Sequence, residues 1–144
     1  MAAERTAEVT WHGSLMDGSG TIDRVGSGAF GPLDVTWASR AESSDGRTSP
    51  EELIAAAHAA CYSMALSHGL AQDGTPAEEL QTSATVTFQP GEGITRIALT
   101  VRGRGAGLDE ASFLSAAETA KNTCPVSRAL AAVPEITLDA AFDG

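Results

Sequence analysis

Residues 49–70 constrain the fold most strongly, because they predict a long helix that is apolar on nearly every side. Ser49 can cap this helix, Pro50 suits its first position, and Glu52 stands where it completes a capping box. Most of the residues between Leu53 and Leu66 are alanine or larger apolar residues. A helix with so little polar surface has to be covered, and its alanines allow neighbours to approach closely. We therefore expect it to be the central helix of the fold or of a dimer.

β-prone segments lie on both sides of this helix. Before it, three segments separated by glycine-rich turns predict an antiparallel meander, over residues 8–11, 21–25 and 33–38. After it, two strands are predicted over residues 82–88 and 94–101, joined by a turn that contains Pro90 and two glycines.

The last third of the chain predicts two helices and a strand. Asp109 can cap a helix that runs to about Lys121, and a short helix follows over residues 125–132. Residues 135–142 alternate in polarity and predict the final strand. The order β-β-β-α-β-β-α-α-β predicts one α+β domain over residues 1–144, with antiparallel sheets that cover a buried helix.

Charge and hydropathy argue against several classes of function. The formal net charge is −10 and the basic residues are scattered, which disfavours nucleic acid and anionic membrane surfaces as partners. The longest uncharged apolar stretch, residues 53–66, is too short to span a bilayer, and the first residues resemble no secretory signal. We expect a cytoplasmic protein.

The chain contains two cysteines, Cys61 and Cys124. In a reducing compartment they are either inert core residues or redox-active thiols, rather than a structural disulfide. Burial in the middle of a helix would raise the pKa of Cys61, so a reactive Cys61 requires a nearby cation. His58, at position i−3, and Arg40, which precedes the helix by a flexible loop that could fold back, are both candidates, and spacing alone does not choose between them.

Local physics favours the other cysteine as the nucleophile. Cys124 directly precedes Pro125 at a predicted helix start, where free amides and the helix dipole stabilise a thiolate. A metal site built from Cys61, Cys124 and His58 would lack both the usual ligand spacing and a fourth ligand.

Two long motifs resemble those of the osmotically inducible protein C (OsmC) family. Residues 48–66 resemble its first-cysteine motif and residues 120–130 its second-cysteine motif. Further matches cover nearly the whole chain and include Trp11 and residues 18–21, 93–99 and 135–138. The run from His58 to Cys61 resembles OsmC proper more closely than the related organic hydroperoxide resistance (Ohr) branch.

The resemblance implies a role for each of four residues. Cys61 falls on the peroxide-attacking cysteine of the family and Cys124 on the resolving cysteine. Arg40 falls on the catalytic arginine of the OsmC branch, and Glu51 on the carboxylate that orients it. Ala41 departs from the family, which usually carries an aromatic residue there, and this smaller side chain would change the shape of the substrate pocket. The family is an intertwined homodimer with its sites at the subunit interface.

The implied activity is that of a thiol-dependent peroxidase. It would reduce organic hydroperoxides to alcohols through a Cys61 sulfenic acid and a Cys61–Cys124 disulfide, as part of an oxidative or osmotic stress response. An external dithiol would restore the thiols, a part that a lipoylated protein plays in the Ohr branch, and neither a metal nor a prosthetic group is required.

Two other functions stay open at the level of sequence. The chain could keep the fold as a binding or stress-structural protein without chemistry. It could also be a general thiol–disulfide oxidoreductase, although that class is expected to carry a Cys-x-x-Cys pair, which this sequence lacks. For His58, we favour a satisfied core histidine over a base for Cys61.

Overall fold

The computed structural model describes residues 1–144 and divides them into two compact units, residues 1–53 and residues 54–144. The first unit contains a three-stranded antiparallel sheet in the order β1-β2-β3. Its strands are β1 (Ala7–His12), β2 (Ser19–Val25) and β3 (Leu33–Val35). This sheet is the meander predicted from the sequence. The assignment of the whole chain to one domain stays a prediction.

The third predicted strand ends earlier than expected, because a helix starts where the strand was predicted to continue. Helix α1 (Trp37–Ala41) begins after Thr36. The Thr36 hydroxyl accepts a hydrogen bond from the Ser39 amide at 3.0 Å, and the Thr36 amide donates to the Ser39 hydroxyl at 2.9 Å. This reciprocal cap stabilises a helical turn that the alternating pattern through Trp37 obscured. Arg40 therefore lies on a short helix that the sequence did not predict.

Helix α2 (Pro50–Gln72) begins at the predicted position but uses only half of the predicted capping box. The Ser49 hydroxyl accepts from the Glu52 amide at 3.1 Å. The Glu52 carboxylate accepts instead from the Thr48 hydroxyl, at 2.8 Å. The N-terminus is thus fixed by side chains on each side of Pro50.

Within one chain, α2 is buried along a single stripe rather than on most sides. His58, Tyr62, Leu66 and Leu70 follow one another at intervals of four residues and are fully buried. The other side of the helix stays open, and Met64 on it is 71% exposed. Within a single chain, the helix is therefore covered on one side only.

The second unit contains a mixed sheet in the order β4-β5-β6. Strands β4 (Glu79–Gln89) and β5 (Gly93–Arg104) are antiparallel, whereas β6 (Glu135–Phe142) lies parallel to β5. The parallel pairing follows from the connection between them, which crosses over through α3 (Glu110–Thr123) and α4 (Pro125–Ala129). The α+β class is confirmed, and one of the two sheets is mixed rather than antiparallel.

The core of the second unit lies between its sheet and its helices. It consists of buried apolar residues of α2, β5, α3 and the segments that flank α3, namely Tyr62, Leu66, Leu70, Ile97, Leu99, Val101, Leu108, Phe113, Ala117, Ala120 and Cys124. Asp109 caps α3 as predicted, accepting from the Ser112 amide at 2.8 Å. A methyl group at Gly103 would clash with the Phe113 ring, so the ring requires a glycine there. None of the helices combines the length and the apolar character needed to cross a membrane.

Candidate active site

The two cysteines meet in the second unit, although they are far apart in the sequence. Both are free thiols, Cys61 packs against the core cluster that contains Cys124, and each thiol shifts the pKa of the other. Cys61 is carried by α2 and is partly accessible to solvent, whereas Cys124 is the residue before α4 and is fully buried. Two neighbouring thiols are the arrangement from which a disulfide can form on oxidation.

The surroundings of the two thiols act on their pKa values in opposite directions. Burial raises the pKa of Cys61, and the neighbouring Cys124 raises it further, against a hydrogen bond from the Val126 amide. Burial also acts to raise the pKa of Cys124, but hydrogen bonds from the Ser127 amide, Cys61, the Ser127 hydroxyl and the Val126 amide outweigh it. The pKa of Cys124 is therefore lowered.

A lowered pKa of Cys124 agrees with the prediction from its place before Pro125. The amides of Val126 and Ser127 belong to the first turn of α4, where no side chain caps the helix, so they are available to the sulfur. Within one chain, Cys61 lacks a comparable set of donors, so its ionisation requires a positive charge.

His58 does not supply that charge. Its imidazole is fully buried, and burial lowers its pKa, so that the ring is neutral at physiological pH. Nε2 lies 2.7 Å from the Ser127 hydroxyl oxygen, and Nδ1 is buried without a hydrogen-bond partner. The role of Arg40 as the cation for Cys61 stays a prediction.

Arg40 and Glu51 form a two-pronged ion pair in the first unit. Arg40 Nε donates to Glu51 Oε1 at 3.0 Å, and Arg40 Nη2 donates to Oε2 at 2.9 Å. The Glu51 side chain is only 7% exposed, and it lies in the first turn of α2, whereas Arg40 lies in the last turn of α1. Two parallel hydrogen bonds fix the plane of a guanidinium, not only its position.

The four residues predicted for the site therefore appear as two pairs, Cys61 with Cys124 and Arg40 with Glu51. Sequence reasoning missed Ser127, which contacts both His58 and Cys124. Its only signal was its place three residues after Cys124 at a helix start, where a side chain can reach back to the residue before the helix. No group of three or more His, Cys, Asp or Glu side chains lies together in an arrangement that could hold a metal ion.

The sequence is similar to known proteins over nearly its whole length. The sequence profile of the OsmC family, described as OsmC-like protein, matches residues 43–139. The chain is 39% identical to Peroxiredoxin OsmC of Escherichia coli (strain K12) over 142 residues, which cover 96% of both chains. The same identity and coverage are found for Peroxiredoxin OsmC of Shigella flexneri.

Solved structures show the same fold. The organic hydroperoxide resistance protein OsmC of Legionella pneumophila aligns with a TM-score of 0.64 at 21% identity, over 96% of this chain and 97% of that one. OhrB of Bacillus subtilis, an organic hydroperoxide resistance protein, aligns with a TM-score of 0.64 at 24% identity, over 94% and 97%. These similarities confirm the OsmC-like fold predicted from the cysteine motifs.

Proposed function

The chain belongs to the OsmC family, and from this membership and its thiol pair we infer that it is a peroxiredoxin-type enzyme that reduces hydroperoxides. The observation that carries the inference is the contact between two free cysteines, brought together by α2 and the start of α4. A relative with 39% identity over 96% of both chains is named a peroxiredoxin.

We propose that Cys61 attacks the peroxide and that Cys124 resolves the product. The Cys61 thiolate attacks one peroxide oxygen, the O–O bond breaks, and the departing alkoxide takes up a proton to become an alcohol. Cys61 is then a sulfenic acid. The Cys124 sulfur attacks the Cys61 sulfur, so that the S–S bond forms, the S–O bond breaks and water leaves. An external dithiol returns two electrons and two protons.

This assignment of roles fits the accessibility of the two cysteines. Cys61 is the partly exposed thiol and can meet a substrate, whereas the buried Cys124 can react only with a group already inside the protein. The lowered pKa of Cys124 suits a thiol that has to attack a sulfenic acid promptly. Arg40, oriented by Glu51, would hold the Cys61 thiolate and the peroxide oxygens.

The disulfide is the product that tests this mechanism. After one equivalent of cumene hydroperoxide, peptide mass spectrometry under non-reducing conditions should find Cys61 linked to Cys124, with the loss of two hydrogens. In Cys124→Ser, the reaction should stop at a Cys61 sulfenic acid that dimedone captures. A dimedone adduct on Cys124 in the unaltered protein would reverse the proposed roles of the two cysteines. Two unchanged thiols after peroxide treatment would contradict the mechanism as a whole.

We propose further that two copies of the chain pair through the open face of α2. This face carries small and apolar residues that are exposed in one chain, including Ala56, Ala57, Ala60 and Met64. Contiguous apolar surface of this kind marks an interaction site, and small side chains permit close helix contact. The intertwined homodimer implied by the family resemblance would cover it.

A charge on this face should break the dimer. Ala60→Glu would place an unpaired carboxylate in the interface, and we expect light scattering to report the mass of one chain instead of two at micromolar concentration. Gln81→Glu adds the same charge at an exposed position of β4 and should leave the mass unchanged. A single-chain mass for the unaltered protein would refute the pairing.

The proposed cycle requires a reducing environment and an external reductant. Both thiols must be returned to the reduced state after each turnover, which fits the reducing cytoplasm. We propose an external dithiol as the reductant, with a lipoylated protein as one carrier of such a group, as in the Ohr branch.

A further inference from the structure

His58, Ser127 and Cys124 form a buried chain of polar contacts that the proposed mechanism does not use. The imidazole of His58 reaches the Ser127 hydroxyl from α2, with Nε2 and Oγ 2.7 Å apart. The same hydroxyl lies close enough to the Cys124 sulfur to lower the pKa of that thiol. His58 and Cys124 are completely buried, and Ser127 is nearly so.

The contacts of the ring are compatible with two neutral tautomers. Nδ1 is buried and has no partner in either, as a donor in one and as an acceptor in the other. In the tautomer with the proton on Nε2, Nε2 donates to Ser127 Oγ. With that bond made, the hydroxyl proton of Ser127 is directed away from the ring and toward the sulfur.

We propose that His58 is a positioning residue for the second cysteine, which holds the Ser127 hydroxyl in the orientation that donates to the Cys124 sulfur. The proposal rests on the proposed function, in which Cys124 attacks the Cys61 sulfenic acid. The His58–Ser127 contact joins α2, which carries Cys61, to α4, which follows Cys124. It therefore also fixes the position of one cysteine relative to the other.

The role belongs to the resolving step. The Cys124 sulfur forms the S–S bond as a thiolate, the S–O bond of the sulfenic acid breaks, and the departing hydroxide takes up the proton that the Cys124 thiol released. The hydroxyl of Ser127 stabilises the thiolate before attack and is not consumed. Tyr62, another ionisable group near Cys124, is committed elsewhere, since its hydroxyl donates to the Ala117 carbonyl at 2.8 Å.

The pKa of Cys124 can be measured alone in the Cys61→Ser background, which leaves a single thiol. The ultraviolet absorbance of the Cys124 thiolate, followed across pH, should show a higher pKa after Ser127→Ala, and again after His58→Leu. Combining the two changes should raise it no further, because His58 acts through Ser127. In His58→Gln, which keeps an N–H donor, the pKa of Cys124 should lie between the values for His58→Leu and for the protein with His58. Ser115→Ala, on the exposed side of α3, serves as the matched control.

The resolving step should slow in the same variants. In a single turnover with cumene hydroperoxide and Cys61 present, Ser127→Ala should form the disulfide about tenfold more slowly, so that the dimedone-reactive sulfenic acid accumulates. Additive effects of the two changes on the pKa, or an unchanged rate of disulfide formation in Ser127→Ala, would overturn the role of His58. Failure of Cys61 to form a sulfenic acid would instead overturn the proposed function, so the two failures are distinguishable.

Discussion

Cys61→Ser should abolish the reduction of organic hydroperoxides, with a fall of at least about 10³-fold in the rate of cumene hydroperoxide consumption. A hydroxyl has a far higher pKa than a thiol and cannot accept the peroxide oxygen, so no sulfenic acid forms. The remaining Cys124 has the lower pKa of the two thiols within one chain, but it is completely buried. Stopped-flow measurement with excess dithiothreitol gives the rate.

The comparison with Cys124→Ser makes this prediction specific. That variant should keep the first reduction of peroxide and lose the internal disulfide, so its turnover depends on direct reduction of the sulfenic acid by the dithiol. If Cys61→Ser kept full turnover while Cys124→Ser lost it, the lower pKa of Cys124 would identify the attacking thiol and the proposed roles would be exchanged.

The secondary structure was largely predictable because its start signals are local. Asp109 caps α3, and Pro50 opens α2 where the sequence indicated. The third strand was overextended because the reciprocal cap between Thr36 and Ser39 outweighs the alternating pattern around Trp37. Alternation in a strand is the same for both directions of pairing, so the parallel pairing of β5 and β6 could be inferred only from the helical crossover that connects them.

The candidate site was predictable to the extent that its residues carry motif or capping signals. Both cysteines stood out, and the greater acidity of Cys124 follows from its place before Pro125. The contact between His58 and Ser127 could not be predicted, because it depends on how α4 packs against α2. The neutral state of His58 likewise depends on tertiary burial, which the sequence alone does not fix.

Arg40→Lys should slow peroxide reduction about 10²-fold, although the positive charge is kept. A lysine cannot reproduce the two parallel bonds from Nε and Nη2 to the Glu51 carboxylate, so the charge loses its fixed orientation. One well-placed donor to a departing oxygen contributes about 2.7–4 kcal/mol to the transition state, and this is the contribution that Arg40→Lys would reduce. Glu51→Gln should slow peroxide reduction by less, because it keeps the guanidinium but weakens the hydrogen bonds that orient it.

Comparison of two reactions of Cys61 separates two roles of the guanidinium. An ordinary thiol is only about one tenth ionised near pH ~7.5, and burial raises the pKa of Cys61, so a neighbouring cation can increase the thiolate fraction substantially. Alkylation of Cys61 by iodoacetamide in the Cys124→Ser background reports that thiolate fraction directly. We expect Arg40→Lys to slow alkylation by less than peroxide reduction, and Arg47→Lys, at an exposed arginine between α1 and α2, to change neither. Equal slowing of both reactions by Arg40→Lys would show that the guanidinium only ionises Cys61 and does not stabilise the departing oxygen.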